Sequence, residues 1–208
     1  TFDDSFFHSF DGMIWTGSSL NIYDNTNEIK NQISLMKKVS KLPIKIFGSC
    51  WGMQLYTVCN GGVVSKNIKG REIGISFNIS LNNKGKGHPM YNQKPIIFDA
   101  FASHIDHVTT LPKKASALSD NHYSIQSLSN KNFWGTQYHP EFNFQYTGQI
   151  LNARKKILLK EKLFSNNQLK NLISSFKKPS KDSYSRSLMD FKIRTSELAN
   201  WLNYIKNN

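Results

Sequence analysis

Apolar and polar residues follow two different periods along this chain. Asp11-Gly12-Met13-Ile14-Trp15 is a short apolar run that ends in Thr16-Gly17-Ser18-Ser19, the pattern of a strand followed by a small-residue loop. From Asn27 to Val39, Ile29, Ile33, Met36 and Val39 recur at helical spacing. Pro43-Ile44-Lys45-Ile46-Phe47 predicts a buried strand, and Leu55-Tyr56-Thr57-Val58-Cys59 predicts a helix ending at Gly61-Gly62. Strand, helix, strand, helix in that order argues for a parallel sheet flanked by helices.

The middle of the chain reads as strands. Ile75, Phe77, Ile79 and Leu81 alternate with smaller or polar residues, the period of a half-buried strand. Residues 82–87 read as a turn, and 95–102, 122–128 and 133–138 as further strands. After Pro140 the pattern turns helical: 144–163, 167–177 and 183–207 predict three helices. In the last, Leu188, Phe191, Leu198, Trp201, Leu202 and Ile205 fall near one face. Lys178-Pro179-Ser180-Lys181 reads as a linker. The expected organisation is a domain over 1–150 followed by a basic helical extension over 151–208. With Thr1 at its head and a strand so soon after, the chain is expected to lack a preceding first strand.

Composition narrows the class. The 208 residues carry a formal charge of +13. Residues 151–208 hold 13 Lys/Arg against 4 Asp/Glu, so most of the surplus lies in the helical tail. It reads as solvated basic faces rather than a nucleic-acid site. No apolar run approaches the ~20 residues of a membrane span, and no signal peptide is recognisable. Two cysteines make no disulfide framework, so a reducing cytoplasm is the expected setting.

The chemistry concentrates in two segments. Gly48-Ser49-Cys50-Trp51-Gly52-Met53-Gln54 puts a cysteine at a strand-to-helix turn between near glycines, where the helix N-terminus favours thiolate. Gly135-Thr136-Gln137-Tyr138-His139-Pro140-Glu141 ends a strand on a histidine, with a carboxylate across a rigid proline. Glu141 can hold one imidazole nitrogen and leave the other facing sulfur. Cys59 reads as a core residue. His104, His107 and Asp106 are spaced too loosely for a metal site, and no metal or cofactor is expected. The Trp51 ring reads either as core or as a rim narrowing the entrance, and Arg71-Glu72 either as a surface pair or as a structural pair near the elbow.

Together these segments resemble class I glutamine amidotransferases. The elbow around Cys50 is similar to their nucleophile turn, and Tyr138-His139-Pro140-Glu141 to their histidine–glutamate motif. Thr16-Gly17-Ser18 resembles their oxyanion loop, although Ser18 and Ser19 stand where the family prefers Gly-Pro. Arg71-Glu72-Ile73-Gly74 and Ser103-His104-Ile105-Asp106 resemble segments of the glutaminase domain of GMP synthase. The resemblance spans roughly 11–143. It implies an α/β, flavodoxin-like three-layer sandwich with a mostly parallel sheet. It also implies Cys50 as nucleophile, His139 as acid/base and Glu141 as orienter. Backbone N–H groups of Trp51 and of Gly17 or Ser18 would form the oxyanion hole. Gln54, Ser103, Ile105 and Asp106 would hold the amino-acid end of glutamine. Residues 144–208 contain one glycine, Gly148, and no phosphate loop, so any synthase that accepts ammonia would be a separate chain. The leading expectation is glutamine hydrolysis through a thioester. A γ-glutamyl peptidase or hydrolase is the alternative, and a non-catalytic basic binding module the third.

Overall fold

The computed structural model describes residues 4–207. A short helix, α1 (Asp4–His8), leads into β1 (Gly12–Trp15), α2 (Asn27–Val39), β2 (Lys45–Ser49) and α3 (Trp51–Cys59). Next come β3 (Val63–Lys66), β4 (Glu72–Leu81), the single turn α4 (Asn83–Lys86), β5 (Ile97–His104) and β6 (Asp106–Thr110). The last strands are β7 (Ser116–Asp120), β8 (Ile125–Asn130) and β9 (Phe133–Thr136). The chain closes with α5 (Phe144–Ala153), α6 (Lys155–Lys160), α7 (Asn166–Lys177), α8 (Arg186–Met189), α9 (Phe191–Arg194) and α10 (Ser196–Lys206).

Seven strands form one sheet in the order β1-β2-β9-β8-β7-β4-β5, and β3 pairs with β6 in a separate ribbon. β1, β2 and β9 are joined in parallel. The remaining neighbours are antiparallel, so β1, β2, β9, β7 and β5 run one way and β8 and β4 the other. This is the expected α/β plan, and the parallel edge carries the elbow. Strand alternation divides the core. Ile46 and Phe133 join α2 and α3 through Ile29, Met36, Met53 and Leu55. Their neighbours Phe47 and Trp134 face the other side, with Trp201 of α10. A third cluster packs Ile75 and Phe101 beneath α5, α6 and α7 through Leu151, Leu158, Leu169 and Phe176.

Four expectations change. The strand over 75–81 starts earlier and bulges between Ser76 and Ile79, with Asn78 at φ 53°. The bulge breaks the alternation and turns Phe77 out to solvent. The helix over 144–163 breaks at Arg154, which separates α5 from α6. The single helix over 183–207 is three. Asp190 takes an extended backbone, and its carboxylate caps α9 by accepting from the Lys192 and Ile193 N–H groups. The break leaves Phe191 and Leu202 exposed. β3, β6 and β7 are strands that the sequence pattern did not place, because each is only four or five residues long with polar residues on both faces, so apolar and polar positions do not alternate.

The helical tail is seated on the sheet. The Trp201 ring lies 6.1 Å from that of Phe47, edge to face. A Cβ on Gly12 would come within 2.8 Å of the same indole. Beside it, Lys94 Nζ pairs with Glu197 at 2.9 Å, both side chains buried. Glu197 Oε1 also accepts from the Tyr138 hydroxyl at 2.7 Å. A buried pair broken on one side leaves an uncompensated charge. Glu197→Ala is therefore expected to cost about 3–5 kcal/mol in urea unfolding. Arg186→Ala breaks only an exposed 3.8 Å pair with Asp190 and should change stability by less than about 0.5 kcal/mol.

Candidate active site

Cys50 stands at the junction of β2 and α3, and glycines set how closely these elements meet. A Cβ on Gly48 would lie 2.6 Å from the Phe133 ring and 2.7 Å from the Gly52 backbone. One on Gly52 would lie 2.5 Å from the Trp15 carbonyl oxygen. The glycines thus serve close approach, while the left-handed conformation falls on Cys50 itself, at φ 48° and ψ −97°. Such backbone costs a non-glycine residue about 1–3 kcal/mol. It is held by the Cys50 N–H, which donates to Thr136 O at 2.7 Å, and by the Cys50 carbonyl, which accepts from the Gln54 N–H at 3.1 Å.

β9 runs beside β2 with Ser49 opposite Thr136. The chain leaving β9 therefore delivers His139 and Glu141 to the elbow. His139 Nδ1–H donates to Glu141 Oε1 at 2.8 Å, which leaves Nε2 free on the other side of the ring, and Cys50 is near enough to raise the imidazole pKa. The Ser49 hydroxyl donates to Glu141 Oε1 at 2.8 Å and lies 3.2 Å from His139 Nδ1. The imidazole stacks on Phe142, centroids 3.8 Å apart and planes 7° from parallel. On another side, a Cβ at Gly17 would lie 2.7 Å from His139 Cε1. Burial pulls the His139 pKa down, but the Glu141 carboxylate and Cys50 outweigh it and raise it to about 10. Burial pushes Glu141 up, yet the charge and hydrogen bond of His139, with help from Ser49, hold it below the usual carboxylate range.

The other expected residues gather around this centre. Ser18, Gln54, Ser103, Ile105 and Asp106 line a small cavity with Cys50, about 30 Å³ in volume. Gln54 Nε2 donates to Asp106 O at 3.0 Å. The Asp106 carboxylate accepts from the Tyr23 hydroxyl at 3.0 Å. The Ser103 Oγ is buried with no hydrogen-bond partner among the described residues. Trp51 opens α3, so the helix itself leaves its N–H unpaired. Its ring is core rather than rim: it is buried, and Nε1 donates to Gln32 Oε1 at 2.6 Å. His104 faces Glu72 Oε2 at 3.0 Å and Asp106 O at 3.2 Å, so both ring nitrogens are occupied in shaping the 103–106 loop. Arg71 and Glu72 are no surface pair. Glu72 is buried beside His104, and Arg71 pairs with Glu161 at 2.9 Å.

Sequence reasoning assigned no role to several neighbours. Gln137 Nε2 lies 3.5 Å from Cys50 Sγ and is fully buried. Ser49, Phe142 and Gln137 all sit within or next to the motifs, but nothing local says which way their side chains turn. Arg154, at the α5–α6 break, lines the small cavity and also a cleft of about 610 Å³ beside His139. Phe142, Asn143, Tyr146 and Ile150 line that cleft as well.

A parallel-edged α/β sheet with a strained cysteine at a strand-to-helix turn and a carboxylate-held histidine leaving the neighbouring strand defines a class, and the family comparison agrees. The family model for glutamine amidotransferase class-I matches residues 8–157, and the chain belongs to that family. A γ-glutamyl-L-1-hydroxyisopropylamide hydrolase from Pseudomonas sp is 30% identical over 95% of this chain and 73% of its own length. γ-Glutamyl peptidase 5 of Arabidopsis thaliana is 26% identical over 78% of this chain and 66% of its own length. GMP synthase of Borrelia garinii subsp. bavariensis is 32% identical over 67% of this chain, which spans only 25% of that enzyme. The solved structure of a glutamine amidotransferase from Thermotoga maritima superposes with a TM-score of 0.72 at 20% identity, covering 94% of this chain and 78% of that one. Among the described residues no helix is long and apolar enough to cross a membrane.

The ion pair makes a pH prediction. His139 is raised from about 6.5 to about 10. Its contribution to stability is complete below about pH 6.5 and is lost as pH rises towards 10. Glu141 has the opposite sign and loses its contribution as pH falls through its lowered pKa. An NMR titration of His139 should give a midpoint near 10, and Glu141→Gln should bring it down. A wild-type midpoint near 6.5 contradicts the pair.

Proposed function

We propose that this protein hydrolyses γ-glutamyl amides through a Cys50 thioester. The observation that carries the reading is the convergence of Cys50, His139 and Glu141 from opposite ends of the domain. The Cys50 thiolate attacks the γ-carbonyl carbon. A C–S bond forms, and charge moves to the carbonyl oxygen. Backbone N–H groups of Trp51 and of Gly17 or Ser18 meet that oxyanion, and such donors are worth about 3 kcal/mol each in the transition state. His139, held by Glu141, protonates the amide nitrogen as the C–N bond breaks. The amine leaves. His139 then takes a proton from water, which attacks the thioester and frees glutamate and the thiolate.

The leaving group separates this reading from the glutaminase one. Ammonia needs almost no room. The cleft of about 610 Å³ against His139 offers space for an amine with a body. The Pseudomonas hydrolase also matches along nearly the whole chain, including the helical tail, whereas the GMP synthase match covers 67% of it. Both favour a substituted amide over glutamine. Glutamine hydrolysis with ammonia passed to a separate synthase is the second reading, supported by the family itself.

Incubation with glutamine and a panel of γ-glutamyl amides, following glutamate release, decides between them. Faster release from the substituted amides supports the proposal, and release from glutamine alone reverses the order. Cys50→Ala should abolish both turnover and labelling by a glutamine-analogue alkylator. Gly17→Ala drives a methyl group into the clamped His139 ring and should lower kcat by roughly a hundredfold with the fold intact. Undiminished activity in either variant overturns the mechanism.

A further inference from the structure

Ser49 precedes the nucleophile in sequence, yet its side chain turns to the histidine. On β2 it falls on the same face as Phe47, two positions before it. That face is otherwise apolar, with Trp134 and Trp201 in the same cluster as Phe47. Ser49 is 2% exposed, and a hydroxyl buried in such a place is costly unless it is bonded. Among the described residues its bonds go to two groups, His139 and Glu141, and none goes to the backbone. Backbone is where a buried serine commonly finds its partner. The hydroxyl is therefore committed to the histidine–carboxylate pair.

The contacts close a ring. His139 Nδ1 lies 2.8 Å from Glu141 Oε1. Ser49 Oγ lies 2.8 Å from Oε1, 3.0 Å from Oε2 and 3.2 Å from Nδ1. An ionised carboxylate only accepts. The imidazole supplies one donor to it and the hydroxyl supplies a second, within reach of both oxygens. Exposure shows why a second donor matters. The Glu141 side chain is 31% exposed, against 4% for His139. A carboxylate at the edge of solvent, tied through one oxygen, can pivot about that oxygen and exchange its partner for water. Two donors remove that freedom. The register of β2 with β9 brings them together, since Ser49 stands opposite Thr136 on the strand that leads to His139.

Resting on the hydrolase reading above, we propose that Ser49 is a positioning residue for that reaction, its hydroxyl fixing the Glu141 carboxylate against His139 Nδ1 so that the imidazole keeps one orientation through both proton transfers. Ser49 acts through Glu141. Its weight differs between the two steps. While His139 is an imidazolium, its charge draws the carboxylate in. Once it has given its proton to the departing amine the ring is neutral, and that attraction weakens. The Ser49 bond is unchanged, so Glu141 stays in place while His139 takes a proton from water.

The test compares wild type with Ser49→Ala on γ-glutamylethylamide. Loss of a hydrogen bond to a charged group is expected to lower kcat about 10- to 100-fold. The thioester should accumulate in intact-protein mass spectra, because the water step slows most. A second readout needs no turnover. The Glu141 carboxyl, followed by carbon NMR in the resting protein, should titrate below the usual carboxylate range in wild type and move up towards it in Ser49→Ala, which removes one of the donors that favour its charge. If the alanine variant fails to fold, Ser49→Thr and Ser49→Val repeat the comparison, since they share a shape and differ in the hydroxyl. Threonine should then keep the kcat and titration that valine loses. Undiminished kcat without the hydroxyl overturns the proposal. So does a slowed variant whose Glu141 titration has not moved, because the hydroxyl is then not holding the carboxylate. A shifted titration in a protein that turns over no γ-glutamyl amide as wild type leaves the Ser49 hold standing and removes the hydrolase reading.

Discussion

The closeness of α3 to the parallel edge of the sheet is the constraint on which the site depends. Gly48 and Gly52 remove the side chains that would hold helix and strand apart, and Gly135 does the same against the Phe133 ring. Once the elements are that close, the turn between them has room for one residue in a left-handed conformation, and that residue is Cys50. The strain is local and its compensation is not. The Cys50 N–H is satisfied by Thr136 on β9, the same strand that leads to His139. One parallel register therefore both pins the cysteine and delivers the histidine.

A second layer of polar contacts holds that register from behind. Tyr138, next to His139, is fully buried on the opposite side, with its hydroxyl bonded to Glu197 and 3.0 Å from that of Tyr91. Glu197 is in turn paired with Lys94. A buried ion pair is weak evidence for stability, because its desolvation offsets much of its attraction. Its value here is geometric. It fixes where α10 docks, so the helical tail buttresses the segment that carries His139. The basic surplus stays on the outer faces of these helices, and the inward faces hold Trp201, Leu188 and Phe176.

The proposed acyl chemistry is indifferent to the amine that leaves, so specificity would have to come from the surroundings of His139. Two regions meet there. The small cavity with Cys50, Gln54 and the 103–106 loop is tight and polar. The cleft beyond it is larger and mixes Phe142, Tyr146 and Ile150 with Asn143 and Arg154. Phe142 serves both sides, since it stacks on the imidazole and also walls the cleft. The proposed amine pocket is therefore walled on one side by residues that follow the histidine motif, on α5 and the turn before it, and on the other by the 16–19 loop and Ser103.

The local sequence determined the elbow and the histidine–carboxylate pair, because each lies within one short segment whose backbone turn depends on adjacent residues. It also determined the helix over Asn27–Val39, whose period was regular, and the strands that meet at the site, which read as short apolar runs. It did not determine the breaks at Arg154, Asp190 and Thr195, where the helical pattern continues but capping and docking interrupt the backbone. Nor did it determine the bulge that exposes Phe77. Which side chains face the sulfur was a tertiary matter. Gln137, Ser49 and Arg154 reach the site only because the β2–β9 register and the packing of α5 point them there. Their chemistry is written at positions far apart in the chain, and contacts at that separation exist only in the folded molecule.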